Sequence, residues 1–437
     1  MRGLKTTIAL LVVLGGLGGY IYFVESRRVP DDPNAKPKAF ELSADNIEEV
    51  QIKNASGDTS RVQKSGDDWQ LVEPVKAAAD YGIVGTVTSN LSTLEVQRVV
   101  EESPADLKQY GLDPPRIDVG FRLRGQKEFQ RLLVGDKAPA GGDFYARRPD
   151  EKRVFLISSF LDSIFNKTPF ELRNKTILTF ERDKTEGVEV VEGTSAVQFA
   201  RSGTDWRIVK PVAARADYAA AEGLLTRLSS TNMLTVVAES ADDLRAYGLD
   251  RPSLSATVTA GSSRATLLLG RKAEAGGFFA KDASRPVVFT VEEALATDLG
   301  KDASEFRRKD LFDARSFSAN RLEVRRGDQA LAFEKAESGG TTTWKNAAGQ
   351  NADTATVEDA LTRLSGLQAQ SFEAAAHPAL KNPVVVATVR FDEKKTETVT
   401  FGRSGNDVFA SRADEPGAAR VDTSVFEEAI KALDALK

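Results

Sequence analysis

A tryptophan-containing segment of this sequence returns 137 positions later, and this repetition limits the possible folds more than any other feature. Trp69-Gln-Leu-Val-Glu-Pro-Val75 is followed by Trp206-Arg-Ile-Val-Lys-Pro-Val212. A second motif, Tyr110-Gly-Leu-Asp-Pro-Pro115, returns at the same offset as Tyr247-Gly-Leu-Asp-Arg-Pro252. Because separate motifs share one offset, the chain contains a tandem structural repeat.

A third, weaker copy follows the first two. Trp344 lies 138 residues after Trp206, and Leu380-Lys-Asn-Pro383 stands where the tyrosine–glycine motif would fall. Each copy is close to the common size of an independent domain. The repeats predict three modules, which are residues 40–178 (module 1), 179–312 (module 2) and 313–437 (module 3).

Local patterns within each copy indicate an α+β fold. Alternating apolar residues before the first tryptophan predict strands, and Asp80, Asp217 and Asp353 are each placed to cap a helix N-terminus. Strands and helices do not alternate one for one, which favours three mixed helix/antiparallel-sheet modules over a parallel α/β sheet. One apolar helical face is expected after each aspartate, formed by Val84, Val87, Thr88 and Leu91, by Ala221, Leu224, Leu225 and Leu228, and by Val357, Ala360, Leu361 and Leu364.

Turn signals follow in the same order in modules 1 and 2. Ser103 and Ser240 are expected to cap a short helix. Gly111 and Gly248 are expected to end it in the left-handed conformation, with proline close behind. A final helix is predicted in each module, over residues 159–166, 292–299 and 424–436.

The N-terminus carries an uncharged apolar run from Thr6 to Val24. At about 1.5 Å per residue, a helix of this length approaches the roughly 30 Å hydrocarbon thickness of a bilayer. We predict a transmembrane signal anchor at residues 1–24 and an extended linker at 25–39. A cleavable signal peptide is the alternative, but the apolar run continues for six residues beyond Gly18. Basic residues flank both ends, so charge alone does not determine the orientation.

Composition excludes several classes of chemistry. The chain has no cysteine, so thiolate nucleophiles and cysteine-based metal sites are excluded. His377 is the sole histidine. The net charge is −5 and the basic residues are scattered, so the sequence has no basic cluster of the kind that binds nucleic acid. Phosphate-binding loops, nucleophile elbows and zinc-protease motifs are absent from the sequence. We therefore expect no catalytic residue, no cofactor, no metal and no nucleic-acid partner.

The recurring residues have two readings. The tryptophans could stack on a ligand and the capping aspartates could be catalytic. One copy per module at matched positions instead favours packing and capping. The residues that we interpret as structural repeat markers are Trp69, Trp206, Trp344, Asp80, Asp217, Asp353, Gly111 and Gly248.

Charged pairs and triplets in the sequence can likewise be explained without catalysis. Glu101-Glu102, Glu292-Glu293 and Glu427-Glu428 are neighbours in sequence, so their side chains diverge and a solvated face is favoured over acid–base catalysis. Arg173-Asn-Lys175 and Arg307-Arg-Lys309 lie at the module junctions. They either bridge adjacent repeats or interact with a helix dipole.

The order of these signals resembles a bacterial family known as a domain of unknown function, number 4340. The features that carry the resemblance are an N-terminal apolar helix, W-x-[LI]-V-x-P-V, A-D-Y opening a helix, Y-G-L-D-x-P and a G-x-[FY]-[FY]-A-[RK]-like hairpin. The match is clear in modules 1 and 2, whereas module 3 lacks the Pro-Val ending and the Tyr-Gly pair. The resemblance implies an inner-membrane anchor, a periplasmic body and association with ABC-type transport systems of the gliding-motility kind. It supplies no catalytic residues.

From this resemblance we expect a non-enzymatic, periplasm-facing accessory or scaffold protein of an ABC-type membrane complex. A cell-envelope binding module for a saccharide, peptide or lipid is the first alternative. A carboxylate-based cell-wall hydrolase is the second. A deep groove between repeats lined by aromatic residues would favour the binding module. Two carboxylates converging in one cleft at roughly 5–10 Å would favour the hydrolase.

Overall fold

The computed structural model describes residues 36–139, 141–338, 341–373, 375–392 and 394–436. The predicted anchor and most of the predicted linker lie outside these residues. No helix in the described ranges has the length and apolar character of a membrane span. The chain divides between Asn174 and Lys175 into two compact units, and the second unit contains modules 2 and 3.

Each module contains one nine-stranded antiparallel sheet with the same strand order, 4-3-2-1-6-7-8-9-5 counted within the module. The strands of module 1 are β1 Ile47–Lys53, β2 Thr59–Ser65, β3 Asp68–Glu73, β4 Ala77–Ala78, β5 Arg98–Glu101, β6 Ile117–Leu123, β7 Gln130–Lys137, β8 Phe144–Arg147 and β9 Val154–Ile157. Those of module 2 are β10 Gly187–Glu192, β11 Ser195–Ser202, β12 Asp205–Lys210, β13 Ala214–Arg215, β14 Thr235–Ala238, β15 Leu254–Ala260, β16 Ser263–Lys272, β17 Phe278–Asp282 and β18 Val288–Val291. Those of module 3 are β19 Ala319–Arg326, β20 Gln329–Ser338, β21 Thr341–Asn346, β22 Asn351–Ala352, β23 Ala369–Glu373, β24 Val385–Phe391, β25 Lys395–Ser404, β26 Asp407–Arg412 and β27 Ala418–Val421.

Helices connect the strands at matched places. The α-helices are α1 Tyr81–Ser92, α2 Leu161–Phe165, α3 Pro169–Leu172, α4 Tyr218–Ser230, α5 Glu293–Leu299, α6 Thr354–Ser365 and α7 Thr423–Asp434. Short 3₁₀ helices occupy Ala44–Asn46, Lys108–Tyr110, Arg182–Lys184, Leu244–Tyr247, Ala303–Phe306 and Pro378–Lys381. The predicted α+β class with three repeated modules is confirmed.

The cores form where the buried strand faces meet the long helix. In module 1, Val50 pairs with Val62 on one side and Phe121 on the other, and all three are buried. The same three-strand row is Val188, Phe199 and Val258 in module 2, and Leu322, Phe333 and Val389 in module 3. The predicted apolar faces of α1, α4 and α6 are confirmed, because the residues buried on each helix are the twelve named above.

The tyrosine–glycine turn packs against a glycine in β7 or its counterpart. A Cβ at Gly135, Gly270 or Gly402 would lie 2.1 Å from a turn carbonyl oxygen, so only glycine allows this approach. Gly111 and Gly248 end the 3₁₀ helices with φ of 64° and 69°, as predicted. The predicted serine caps are wrong. Carboxylates close to each helix start accept the backbone hydrogen bonds instead, from Lys108 to Asp106 and from Arg245 to Asp243.

In each module, a segment from the preceding part of the chain pairs with the backbone just before the last strand of the sheet order, which is β5, β14 or β23. The backbone bridges are Lys38 with Glu95, Thr176 with Asn232, and Asp310 with Gln368. Residues 36–39 of the predicted linker are therefore part of the first folded body. Leu311 and Phe312 likewise pack in the core of module 3.

Candidate functional site

The three recurring tryptophans lie in the module cores. Trp69 and Trp344 belong to the apolar clusters of modules 1 and 3, and Trp206 is equally buried. The Trp206 Nε1 donates to Glu222 Oε1 at 2.9 Å, and Arg201 lies over the indole ring at 5.0 Å. No tryptophan face is open for stacking on a ligand.

The three recurring aspartates cap α1, α4 and α6. Asp80 accepts a hydrogen bond from the Ile83 backbone at 3.0 Å. Asp217 and Asp353 accept equivalent bonds at 2.8 Å from residues three positions later. Bonds from Thr356 lower the pKa of Asp353 below its ordinary value, since they favour the ionised carboxylate. Each of the three aspartates therefore lies at the start of its own helix, where it accepts a backbone hydrogen bond.

His377 replaces a capping aspartate in module 3. Its Nδ1 accepts the Ala379 backbone N–H at 3.2 Å and begins the 3₁₀ helix Pro378–Lys381. The imidazole also stacks on Phe409 with ring centroids 3.6 Å apart. In module 2 the corresponding roles belong to Asp243 and to the Tyr247–Phe279 ring pair.

The paired glutamates are engaged in local contacts. Glu101 accepts a hydrogen bond from the Tyr110 hydroxyl at 2.5 Å, and this bond, with burial, raises the pKa of Tyr110 to about 12. Glu293 pairs with Lys272 at 2.6 Å, and the hydrogen bond from that lysine lowers the glutamate pKa. The remaining ion pairs in this set are Glu292 with Arg227, Glu427 with Arg403, and Glu428 with Arg363.

A buried charged cluster lies between modules 2 and 3. One member, Arg307, bridges the two repeats, which is one of the two roles expected for it, whereas the other members were not predicted from the sequence. We call Arg215, Arg307, Glu397, Arg412 and Glu415 the junction cluster. Glu415 accepts from Arg215 Nε at 2.6 Å and from Arg307 Nη2 at 3.0 Å, although its side chain is only 5% exposed. Arg412 pairs with Glu397 at 2.9 Å.

Backbone groups of the linker between the modules complete this cluster. Arg215 Nη2 donates to the Asp310 carbonyl at 2.7 Å, and Arg412 Nη1 donates to the Leu311 carbonyl at 2.6 Å. Glu397 accepts backbone N–H groups from Asp313 and Ala314 at 2.9 and 2.8 Å. The charges are thus paired and hydrogen-bonded, which is the condition for keeping them buried.

A polar groove of about 1010 Å³ adjoins the junction cluster. Of the aromatic residues along it, Trp206 and Phe391 are buried, whereas Tyr218 is 55% exposed. Tyr81 occupies the same position in module 1 and is 66% exposed. The exposed tyrosine of the A-D-Y motif is therefore a repeated surface feature of modules 1 and 2.

Carboxylates along the groove are held by basic residues. Burial opposes the ionisation of Asp310, but a hydrogen bond from Gln368 and the charges of Arg315 and Arg308 outweigh it and lower the pKa. Asp313 pairs with Arg215 at 2.7 Å and with Arg308 at 2.9 Å. Among the described residues, no group of three or more potential ligands is arranged to hold a metal ion.

Comparisons with solved structures give low similarity. Two structures of the DNA polymerase sliding clamp from Pseudomonas aeruginosa are similar to this chain at 9% sequence identity. The first, determined with ligand, covers 87% of this chain and 92% of the clamp with a TM-score of 0.17. The second covers 86% and 91% with a TM-score of 0.16. These scores support no conclusion about fold or function.

Sequence comparison gives a family. No curated protein sequence matches the chain. Residues 69–208 and 206–384 match the domain of unknown function DUF4340, and together they span more than half of the chain. The two matched regions begin at Trp69 and Trp206, the tryptophans that open the repeated motif. The chain is therefore a member of the DUF4340 family.

Proposed function

We propose that this protein is a non-enzymatic accessory or scaffold protein of an ABC-type, gliding-like membrane complex. Its apolar run Thr6–Val24 is proposed to anchor it in the bacterial inner membrane with the modules in the periplasm. The membrane assignment rests on that run, and the ABC-type partner rests on the family resemblance.

The junction cluster is the observation that carries the scaffold proposal. Two arginines of module 2 converge on one buried carboxylate of module 3, and these charge-assisted hydrogen bonds are directional, so they fix how the two modules are oriented. This fixed geometry supports modules 2 and 3 acting as one stiff body. A stiff body suits a protein that holds partners at fixed positions.

The lowered pKa values of two groove carboxylates support a role without catalysis. A general acid at neutral pH needs a raised pKa, whereas the pKa of Asp310 is lowered. Burial likewise opposes ionisation of Asp414, but hydrogen bonds from Arg412 and its charge prevail and lower the pKa. These groups are suited to pairing with arginine and not to proton donation.

A pull-down of the full chain from its own membrane tests the proposal. We expect subunits of an ABC-type transporter to co-purify, and deletion of Met1–Val24 to abolish both this association and function. A variant with Asp407→Ala, which removes one end of an exposed ion pair, serves as the matched control and should co-purify normally. Recovery of the same partners without the anchor would contradict the membrane-based scaffold. Turnover of cell-wall substrates by residues 36–437, lost on changing one carboxylate without unfolding, would support the hydrolase instead.

The repeated exposed tyrosine favours one second candidate, a cell-envelope binding module. Tyr218 presents an aromatic face beside the groove, and aromatic faces of this kind bind sugars and extended peptides. Titration with cell-wall saccharides and peptides tests it. Saturable binding that is lost in Tyr218→Ala and kept in Tyr81→Ala would favour this candidate, while no binding to either would remove its support.

A further inference from the structure

Modules 1 and 2 each hold a short segment of their own chain against the first edge of the sheet. In module 1, Ala79 forms a backbone bridge with Arg173. The Asp80 N–H donates to the Leu172 carbonyl and the Asn174 N–H donates to the Ala78 carbonyl, both at 2.8 Å. We call residues 168–174 the outgoing segment of module 1.

Residues 302–308 form the corresponding outgoing segment of module 2. Ala216 bridges to Arg307, and the Asp217 N–H donates to the Phe306 carbonyl at 2.7 Å. The Arg308 N–H donates to the Arg215 carbonyl at 3.0 Å. The backbone pattern of the two segments is therefore the same.

The two segments also share a turn and an apolar side chain. Reciprocal capping by Thr168 with Glu171, and by Asp302 with Glu305, fixes a single helical turn. The next residue is buried in each case. Leu172 lies in the core of module 1, and Phe306 packs edge-on against Phe199 with ring centroids 5.1 Å apart.

The matching edge of module 3 carries no such segment among the described residues. Ala352 corresponds to Ala79 and Ala216, yet no backbone bridge reaches it from outside its hairpin. In the described ranges, no backbone hydrogen bond reaches the Asp353 N–H or the outward carbonyl of Asn351. We call Asn351–Asp353 the open edge.

An apolar recess lies beside the open edge. Phe333 stands in the sheet where Phe199 contacts Phe306 in module 2. The recess beside Phe333 is also lined by Leu331, Val357 and Leu436, and its volume is about 540 Å³. Module 3 therefore presents both the backbone groups and the apolar surface that receive an outgoing segment in the other modules.

We propose that the open edge of module 3 binds a segment of a partner protein in the manner of an outgoing segment. The occupant is a capped turn, a leucine or phenylalanine, and two extended residues that add a strand to the sheet. Among the described residues, both segments of this kind are already held by modules 1 and 2, and we therefore assign the open edge to a segment of a different protein. The inference deepens the scaffold proposal by locating the partner contact, but its test needs no transporter.

The arginine of the segment is not expected to contribute to this binding. In module 2, Arg307 is held by module 3, where it reaches Glu415 and lies over the Phe372 ring at 4.0 Å. A segment on the open edge has no further module beyond it in the described chain. Recognition therefore rests on the apolar side chain and the backbone.

Binding of a peptide with the sequence of residues 302–309 to the full chain in detergent tests the proposal. We expect saturable binding that weakens at least about tenfold when Phe306 of the peptide is replaced by alanine. N-methylation at the Arg308 position should have a similar effect, because it removes the N–H that would donate to the Asn351 carbonyl. Replacement of Arg307 by alanine in the peptide should leave binding unchanged.

Variants of the protein locate the binding site. Leu331→Glu places a charge in the open recess and should abolish binding, whereas Val197→Glu, at the matched position of module 2, should not. Absence of saturable binding at roughly 1 mM peptide, or binding indifferent to both the phenylalanine and Leu331→Glu, would overturn the proposal. Self-association of the chain that is lost in Leu331→Glu would overturn it in favour of a second copy as the occupant. A transporter pull-down that fails with wild-type protein while the peptide binds would count against the proposed function alone.

Discussion

Arg215 Nε and Glu415 Oε1 lie 2.6 Å apart although 200 residues separate them in the chain. Both side chains are almost fully withdrawn from water. Arg307 donates to the second oxygen of the same carboxylate, so Glu415 of module 3 pairs with two arginines of module 2. Asp313 is a further partner of Arg215. The contact between the two modules is thus charged at its centre.

Removal of the central carboxylate is expected to be costly. Glu415→Ala should lower the free energy of unfolding by roughly 3–5 kcal/mol, because it leaves two buried arginines short of a partner. Asp407→Ala, which breaks an exposed pair with Arg420, should cost no more than about 1 kcal/mol. Urea unfolding of both variants checks this. Equal effects would show that the junction cluster contributes nothing beyond an ordinary surface pair.

Loss of a helix cap should have a smaller effect. Asp217→Ala should reduce stability by about 0.5–2 kcal/mol, because the Ala220 N–H loses its acceptor. Asp217→Asn retains a capping oxygen and should restore most of the loss. Thermal unfolding measures the difference, and partner binding should survive in both variants. A stability-neutral Asp217→Ala that eliminates function would mark a site instead.

Alanine substitutions at two glycines should distinguish a glycine that is needed for close packing from one that only adds backbone flexibility. Gly270→Ala should destabilise by roughly 1–3 kcal/mol, since its Cβ would collide with the Tyr247 carbonyl oxygen. Gly223→Ala lies inside α4 with open space around it and should stabilise by about 0.5–1 kcal/mol. Chemical denaturation of the two single variants provides the measurement. Tolerance of Gly270→Ala would mean that the turn can move away from the sheet.

Acid should remove a contribution made by Glu222. Burial opposes its ionisation, but hydrogen bonds from Trp206, Arg182 and Arg201 prevail and lower its pKa in the folded state. Its contribution to the free energy of unfolding is therefore fully present above the pKa of the unfolded state, about 4.3. It is lost as the pH falls through the lower pKa of the folded state.

The glutamine variant isolates this contribution. Glu222→Gln should be less stable than wild type at pH 7, and the gap should narrow as the pH falls below about 4. The unfolding free energy measured against pH gives the result. A gap that stays constant down to about pH 3 would exclude a titrating contribution from this carboxylate.

Local features of the fold could be read from the sequence, because they depend on neighbouring residues. The helical faces after Asp80 and Asp217 follow a 3.6-residue period, and the left-handed turn at Gly111 needs glycine. The serine caps failed because a carboxylate closer to the helix start competes for the same backbone N–H. Both outcomes are decided within a few residues.

The position of Arg307 at a module junction indicated a bridge between repeats as one of two roles, but the rest of the junction cluster could not be predicted in this way. Arg215 has Ala78 at its place in module 1, so the repeat gives no sign of its role. The outgoing segments recur at 134 residues and not at 137, so a search at the main offset misses them. The loop between the sixth and seventh strands is shorter in module 2, which changes the offset within the repeat.

The linker between modules 2 and 3 forms a backbone bridge with each of them, Arg307 with Ala216 of module 2 and Asp310 with Gln368 of module 3. The same short stretch of backbone, residues 306–312, therefore lies at the sheet edge of module 2 and enters the core of module 3. An insertion or deletion in it would disturb both modules at once, so its length is expected to tolerate no change.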